Sequence, residues 1–245
     1  MKERLYVLHH KQKLLNKESI VFPKNPPRDF KKYYYEYRAA INLQLIFPER
    51  YSIYVKSERP DFIYADSYGV EVTRALDQEQ ELQRDFFSKK LAGKRESEIP
   101  ENSLTRFQKS GLDLVLSRGY NNTPVDKIWG YAGDGGPFPA LLTKAINHKL
   151  HEINSINFAP GYSLSLYVFS SVLDEYESVD DLQFLINNNY QKEEYERNFN
   201  SIFVDTGCNL FEYDSISKTI TQHRTEQYMA TIKEQAIDLA LKATE

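Results

Sequence analysis

Hydrophobic and polar positions recur with two different periods along this chain, and the switches between them mark its elements. From Phe30 onward, Phe30, Tyr34, Tyr37, Ile41 and Leu45 return every three or four positions, the spacing of one helix face. Ala40, Leu43 and Phe47 form a second apolar strip, which predicts a helix buried on two sides. Asp29 is placed to cap its start and Pro48 to end it. Upstream, residues 1–27 mix short apolar clusters with lysines and close on Pro-Lys-Asn-Pro-Pro, a helix breaker.

Beyond Pro48 the period shortens. Tyr51–Lys56, Arg59–Tyr64 and Val70–Ala75 are predicted strands, the last two joined as a hairpin through Ala65-Asp66-Ser67-Tyr68-Gly69. The charged stretch 77–94 predicts a helix with Leu82, Phe86 and Leu91 turned inward, and 96–105 is polar and irregular. Asn121-Asn122-Thr123-Pro124 is a break, and Gly130–Pro139, with four glycines and two prolines, is expected as a mobile or ligand-facing loop. Helical spacing returns from Pro139 to Asn154, with Leu141, Leu142, Ala145, Ile146, Leu150 and Ile153 on one stripe. Ser163–Ser170 is a predicted strand, 178–196 a charged helical segment, and Ser201–Asp205 and Leu210–Tyr213 further strands. The chain closes on an amphipathic helix, Thr225–Ala243, with Met229, Ile232, Ala236 and Leu239 in register. No internal repeat appears. The order of helices and strands predicts one α/β layered domain.

Composition narrows the function classes. Among 245 residues, 41% are apolar and 27% charged, which suits a globular chain rather than a disordered one. No stretch reaches the roughly 20 apolar residues of a membrane-spanning helix, and no secretory leader pattern opens the chain, so a cytoplasmic protein is expected. Cys208 is alone, which excludes an internal disulfide and a cysteine zinc cage. The net charge of −4 argues against a whole-surface grip on nucleic acid and restricts any such binding to a local patch. With 18 Tyr and 14 Phe against one Trp, tyrosine is expected to fill semi-buried positions, where an apolar ring and a polar tip are both useful.

The sharpest chemical signal is Arg59-Pro60-Asp61-Phe62 followed by Glu71-Val72-Thr73. A hairpin sets Asp61 and Glu71 on neighbouring strands, and residues 71 and 73 share a sheet face. Paired carboxylates so placed suit a hard divalent cation, Mg²⁺ or Mn²⁺, which could polarise a phosphodiester and activate water. Lys149 adds to this. At 100° per residue it lies at the centre of the apolar stripe of its helix and points toward the sheet, whereas Lys144 points to solvent. A lysine there needs a carboxylate partner or must reach out to solvent along its stem.

These residues resemble the PD-(D/E)XK nuclease superfamily, whose restriction-endonuclease-like fold has a central mixed sheet flanked by helices. Pro60-Asp61 and Glu71-Val72 match its motif over a core of about residues 28–171, with 172–245 as an elaboration, but Thr73 stands where the motif has Lys. The resemblance implies a nuclease acting on DNA, with Asp61, Glu71 and the Val72 carbonyl on Mg²⁺ and Glu36 joining from the first helix. Lys149 would then orient water, and Thr73 would hydrogen-bond in place of the motif Lys. It also implies a homodimer, as restriction-type nucleases often form. Because Thr73 replaces Lys, a second expectation is a degenerate nuclease fold that binds nucleic acid or a protein partner without cutting it. A third is an unrelated α/β interaction protein in which the hairpin pair is accidental, and for Glu36 by itself the alternative is an ordinary ion pair to Lys32 or Arg38.

Other candidates are weaker. His9-His10 and the pair His148 and His151 lack further ligands at metal spacing. Gly130–Gly136 has neither the phosphate-loop nor the dinucleotide pattern. Lys89-Lys90 and Lys94-Arg95, with Lys31-Lys32 and Arg38, could line a nucleic-acid path or simply face solvent.

Overall fold

The computed structural model describes residues 23, 26–65, 67–75, 86, 91, 98–103, 105, 112–115, 127–130, 138–155, 161–170, 179–190, 192–207 and 209–245. The first helix, α1 (Phe30–Ile46), buries Phe30, Tyr34, Tyr37, Ala40, Ile41 and Leu43, so it is enclosed on two sides as its double strip requires. Its start differs from expectation. Asp29 is in the left-handed region (φ 64°), and its side chain makes no cap hydrogen bond; its backbone carbonyl instead accepts the Tyr33 N–H at 3.1 Å.

Strands β1 (Tyr54–Lys56), β2 (Phe62–Tyr64) and β3 (Tyr68–Ala75) form an antiparallel meander. The first two are shorter than their β-rich sequence suggests, and the connecting turn is tighter, since Tyr68 and Gly69 already belong to β3. A separate two-stranded ribbon, β4 (Leu112–Val115) with β5 (Lys127–Gly130), was not legible in the pattern. Helix α2 (Phe138–Ser155) follows, then β6 (Ser163–Ser170), α3 (Val179–Asn189), β7 (Ser201–Asp205), β8 (Asn209–Asp214), β9 (Thr219–Arg224) and α4 (Met229–Lys242). The charged segment predicted as one helix over 178–196 ends at Asn189, with a short 3-10 turn at Lys192–Glu194.

Seven strands make one mixed sheet in the order β1-β2-β3-β6-β7-β8-β9. The β3, β6 and β7 strands are parallel, and both flanks are antiparallel. One face carries Phe62, Tyr64, Val70, Tyr167, Phe169 and Phe203 under α1 and α4. The other carries Leu164, Leu166, Val168, Ile202 and Val204 under α2 and α3. Every residue of β6 after Ser163 is buried, as expected of a central strand with a helix layer on each side. The protein is therefore a three-layered α/β structure with a mixed sheet.

The α2 stripe buries Leu142, Ile146, Leu150 and Ile153, while Leu141 and Ala145 are only partly covered. In α4 the fully covered residues are Ile232, Ala236 and Ala240; Met229 and Leu239 sit at the margin of that face. Leu91 is buried as expected, but most of 77–94 lies outside the described residues, as do 131–137 and residues 1–22. Residues 101–103, expected to be irregular, are helical. Tyrosine fills core positions: Tyr51, Tyr64, Tyr167 and Tyr213 are among the largest fully buried side chains. No helix among the described residues is long and apolar enough to cross a membrane.

Gly69 has a specific task in the meander. A Cβ there would stand 2.6 Å from Cγ of Pro60 and 2.8 Å from Cδ2 of Leu164, both ring or core atoms with little freedom to move. Gly69→Ala is expected to displace Pro60 and lower stability by about 1–3 kcal/mol, as overpacking does. Urea denaturation of the two proteins checks it, and an unchanged midpoint would contradict the packing argument.

Candidate functional site

The site is built where β2 stops pairing with β3. The last residue pair is Phe62 with Val70, and continuing that register would set Pro60 opposite Val72. Proline has no N–H and cannot complete the ladder. The Val72 N–H turns instead to the Asp61 side chain, whose Oδ2 accepts it at 2.8 Å, while the Asp61 carbonyl accepts the Ser57 N–H at 2.9 Å. The Pro-Asp sequence thus places a carboxylate at the end of a strand instead of within it.

Glu71 leaves β3 toward the α2 layer and is only 4% exposed. Lys149, on the sheet-facing stripe of α2, donates from Nζ to Glu71 Oε2 at 3.0 Å. The same ammonium lies 2.8 Å from Glu152 Oε2, three residues along the helix. Glu71 Oε1 is buried with no hydrogen-bond partner among the described residues. A buried carboxylate oxygen left in this way is costly unless something supplies positive charge or a donor.

The electrostatics follow from this crowding. Burial first, then the nearby charges of Glu71 and Glu36, pushes the Asp61 carboxyl up to about 7, with the Val72 N–H and Lys149 opposing. Burial also raises the Glu71 pKa, against the pull of Lys149. For Lys149 burial works against the charged form, but Glu71 and Glu152 more than offset it and its pKa is raised. The cluster holds its lysine charged and strains to keep both carboxylates ionised.

Glu36 approaches from α1, on the other side of the sheet. It is buried and close enough to act on Asp61. Its oxygens are already engaged: Lys56 of β1 donates to Oε2, and Lys32 stands 3.8 Å from Oε1. The Lys32 pair matches one sequence expectation. Arg38 does not pair with Glu36, because it is committed to Asp205 at 3.1 Å. Arg38 is also too enclosed to line an open nucleic-acid path, with 15% side-chain exposure. Thr73 shares the Glu71 side of β3 and is half-buried, but no hydrogen bond joins it to Asp61, Glu71 or Lys149 among the described residues. The structure therefore brings together Asp61, Glu71 and Lys149, sets Glu36 behind them, and gives Thr73 no hydrogen bond to any of them among the described residues.

Sequence reasoning missed three neighbours. Lys56 is one, and its signal was its place on a strand beside the hairpin. Glu152 is another, detectable as a carboxylate at i+3 from Lys149. The third is Arg59, an exposed cation whose charge acts on both Glu71 and Glu152. His148 stands 3.7 Å from Glu152, an ion pair when protonated and not part of a metal cage. His9, His10, Cys208, Lys89, Lys90, Lys94 and Arg95 lie outside the described residues.

Among the described residues no three His, Cys, Asp or Glu side chains converge as a ready metal cage. Two carboxylates and a free buried oxygen nonetheless fit Mg²⁺, which keeps several waters and is commonly held by one or two carboxylates plus a substrate phosphate. Compared with protein-family models, curated proteins and solved structures, the chain matches none of them.

Proposed function

We propose that this protein is a metal-dependent nuclease-like enzyme that hydrolyses phosphodiester bonds in DNA on a restriction-endonuclease-like fold. The observation that carries it is the buried Oε1 of Glu71, without a hydrogen-bond partner among the described residues, beside Asp61 and with Lys149 on the opposite oxygen. The order of elements in the main sheet supports the fold: a helix, three antiparallel strands and, after the β4–β5 ribbon, a helix and a strand parallel to the third. DNA as substrate comes from the family resemblance, and the exposed Arg59 beside the carboxylates is suited to a phosphate.

Asp61, Glu71 and the Val72 carbonyl would hold the cation, which supplies Lewis acidity and a bound water of lowered pKa. Asp61 has its orientation fixed by the Val72 N–H, so its other oxygen stays available. Lys149 presents an ammonium able to donate to water or to a developing phosphoryl charge. Glu36, engaged by Lys56 and Lys32, acts on the site through its charge on Asp61 rather than as a free ligand.

A second reading rests on Thr73. Because it stands where the motif has Lys and makes no hydrogen bond to the carboxylates among the described residues, the chain would bind nucleic acid or a protein partner on this fold without cutting. One experiment separates the two. Plasmid and single-stranded DNA are incubated with Mg²⁺ or Mn²⁺ and either wild type or Glu71→Ala. Metal-dependent cutting that disappears in the variant supports the nuclease. Manganese binding without cutting supports the second reading. Absence of both would overturn the site assignment.

A further inference from the structure

Lys149 contacts two carboxylates of different character. The Glu71 side chain is 5% exposed on a central strand, whereas that of Glu152 is 33% exposed on the same helix as the lysine. In the cation-free protein the ammonium is the counter-ion of Glu71, and so it occupies one oxygen of the carboxylate that a divalent cation would use. Cation entry places two positive charges at one buried group, and like charges at such a distance repel strongly where water is scarce. The lysine stem is flexible, and Glu152 Oε2 is already within 2.8 Å of its Nζ.

We propose that Glu152 is a positioning residue that receives Lys149 when a divalent cation takes Glu71, so that the lysine yields its place yet remains beside the reaction centre. The inference rests on the metal-site reading above. Glu152 is suited to the task because, among the described residues, its other oxygen meets only His148, at 3.7 Å, and Arg59 acts on it through charge. Without Glu152, the carboxylates left near the displaced ammonium among the described residues are Asp61 and Glu71, the two the cation itself would use, and Lys149 competes with the cation for Glu71.

The test is a double-mutant cycle read as Mn²⁺ affinity, by calorimetry or by the electron paramagnetic resonance signal of free Mn²⁺. Glu152→Gln is expected to weaken Mn²⁺ binding about three- to fivefold, the range of a partly exposed ion pair. Lys149→Gln is expected to tighten it on the order of tenfold by removing the competing charge. In the Lys149→Gln background, adding Glu152→Gln should change affinity by about twofold or less, since only screened charge remains. Glu152→Asp, which keeps the carboxylate, should recover part of the lost affinity. An unchanged affinity in Glu152→Gln overturns the proposal, as does an equal loss with and without Lys149. Mn²⁺ binding that is absent in wild type, or indifferent to Glu71→Gln, overturns the metal site itself and this proposal with it. Thermal melts of each variant identify any that fail to fold; for those, Glu152→Asp against wild type decides.

Discussion

Asp205→Ala is expected to destabilise the fold by about 3–5 kcal/mol, the cost of breaking a buried ion pair from one side. Asp205 ends β7 with a fully buried side chain. It accepts from Arg38 Nη2 on both oxygens, at 3.2 and 3.1 Å. It also accepts the Tyr167 hydroxyl at 2.9 Å and the Gly207 N–H at 2.7 Å. Asn42 extends the network by donating to the Tyr167 oxygen at 2.7 Å. Alanine would leave the guanidinium, the phenol and an amide without their acceptor in the layer between α1 and the sheet. The double substitution Asp205→Leu with Arg38→Met removes the charges together and should cost less than Asp205→Ala alone. Urea denaturation followed by circular dichroism compares the three. A loss below about 1 kcal/mol for Asp205→Ala, the level of a surface pair, would show that the network is not a structural tie.

The second large effect is a pH dependence centred on Asp61. Its folded-state value of about 7 lies above the ordinary 3.8, so the folded protein holds this proton more tightly than the unfolded chain does. The stability linked to it is fully present below pH 3.8 and is lost as pH rises through about 7. The gap is worth at most about 4 kcal/mol, and partial solvent access reduces that ceiling. Asp61→Asn keeps an oxygen for the Val72 N–H but cannot ionise. It should therefore match wild type near pH 4 and be the more stable protein at pH 8. Denaturation midpoints at both pH values decide, and a constant difference between the two proteins would contradict the burial argument. A divalent cation should relieve the same penalty that the proton relieves. Saturating Mn²⁺ at pH 8 is expected to raise the melting temperature of wild type far more than that of Asp61→Asn.

The candidate site was partly legible because some of its determinants are local. The Pro60-Asp61 break, the β character around Glu71 and the helical angle of Lys149 all follow from near neighbours in the chain. The direction of Lys149 toward the sheet came from the stripe of Leu141, Leu142, Ala145, Ile146, Leu150 and Ile153. Asp29 shows the limit of such reasoning: a residue type suited to capping sits at the helix start, yet its backbone turns left-handed and the side chain caps nothing. Strand β9 was invisible because it is an edge strand with exposed positions, and so has no apolar alternation to display.

The sequence by itself therefore determined the main helices, the central strands, the hairpin that carries the two carboxylates and the inward aim of Lys149, since periodicity and turn chemistry act over a few residues. Only the tertiary structure decided the partners. Lys149 meets Glu71 across 78 positions, Lys56 meets Glu36 across 20 and Arg38 meets Asp205 across 167. Those meetings depend on which strands pair and which helix layer covers each face. Burial then gives the pairings their consequences, because a carboxylate far from water depends on whichever charge the fold has set beside it.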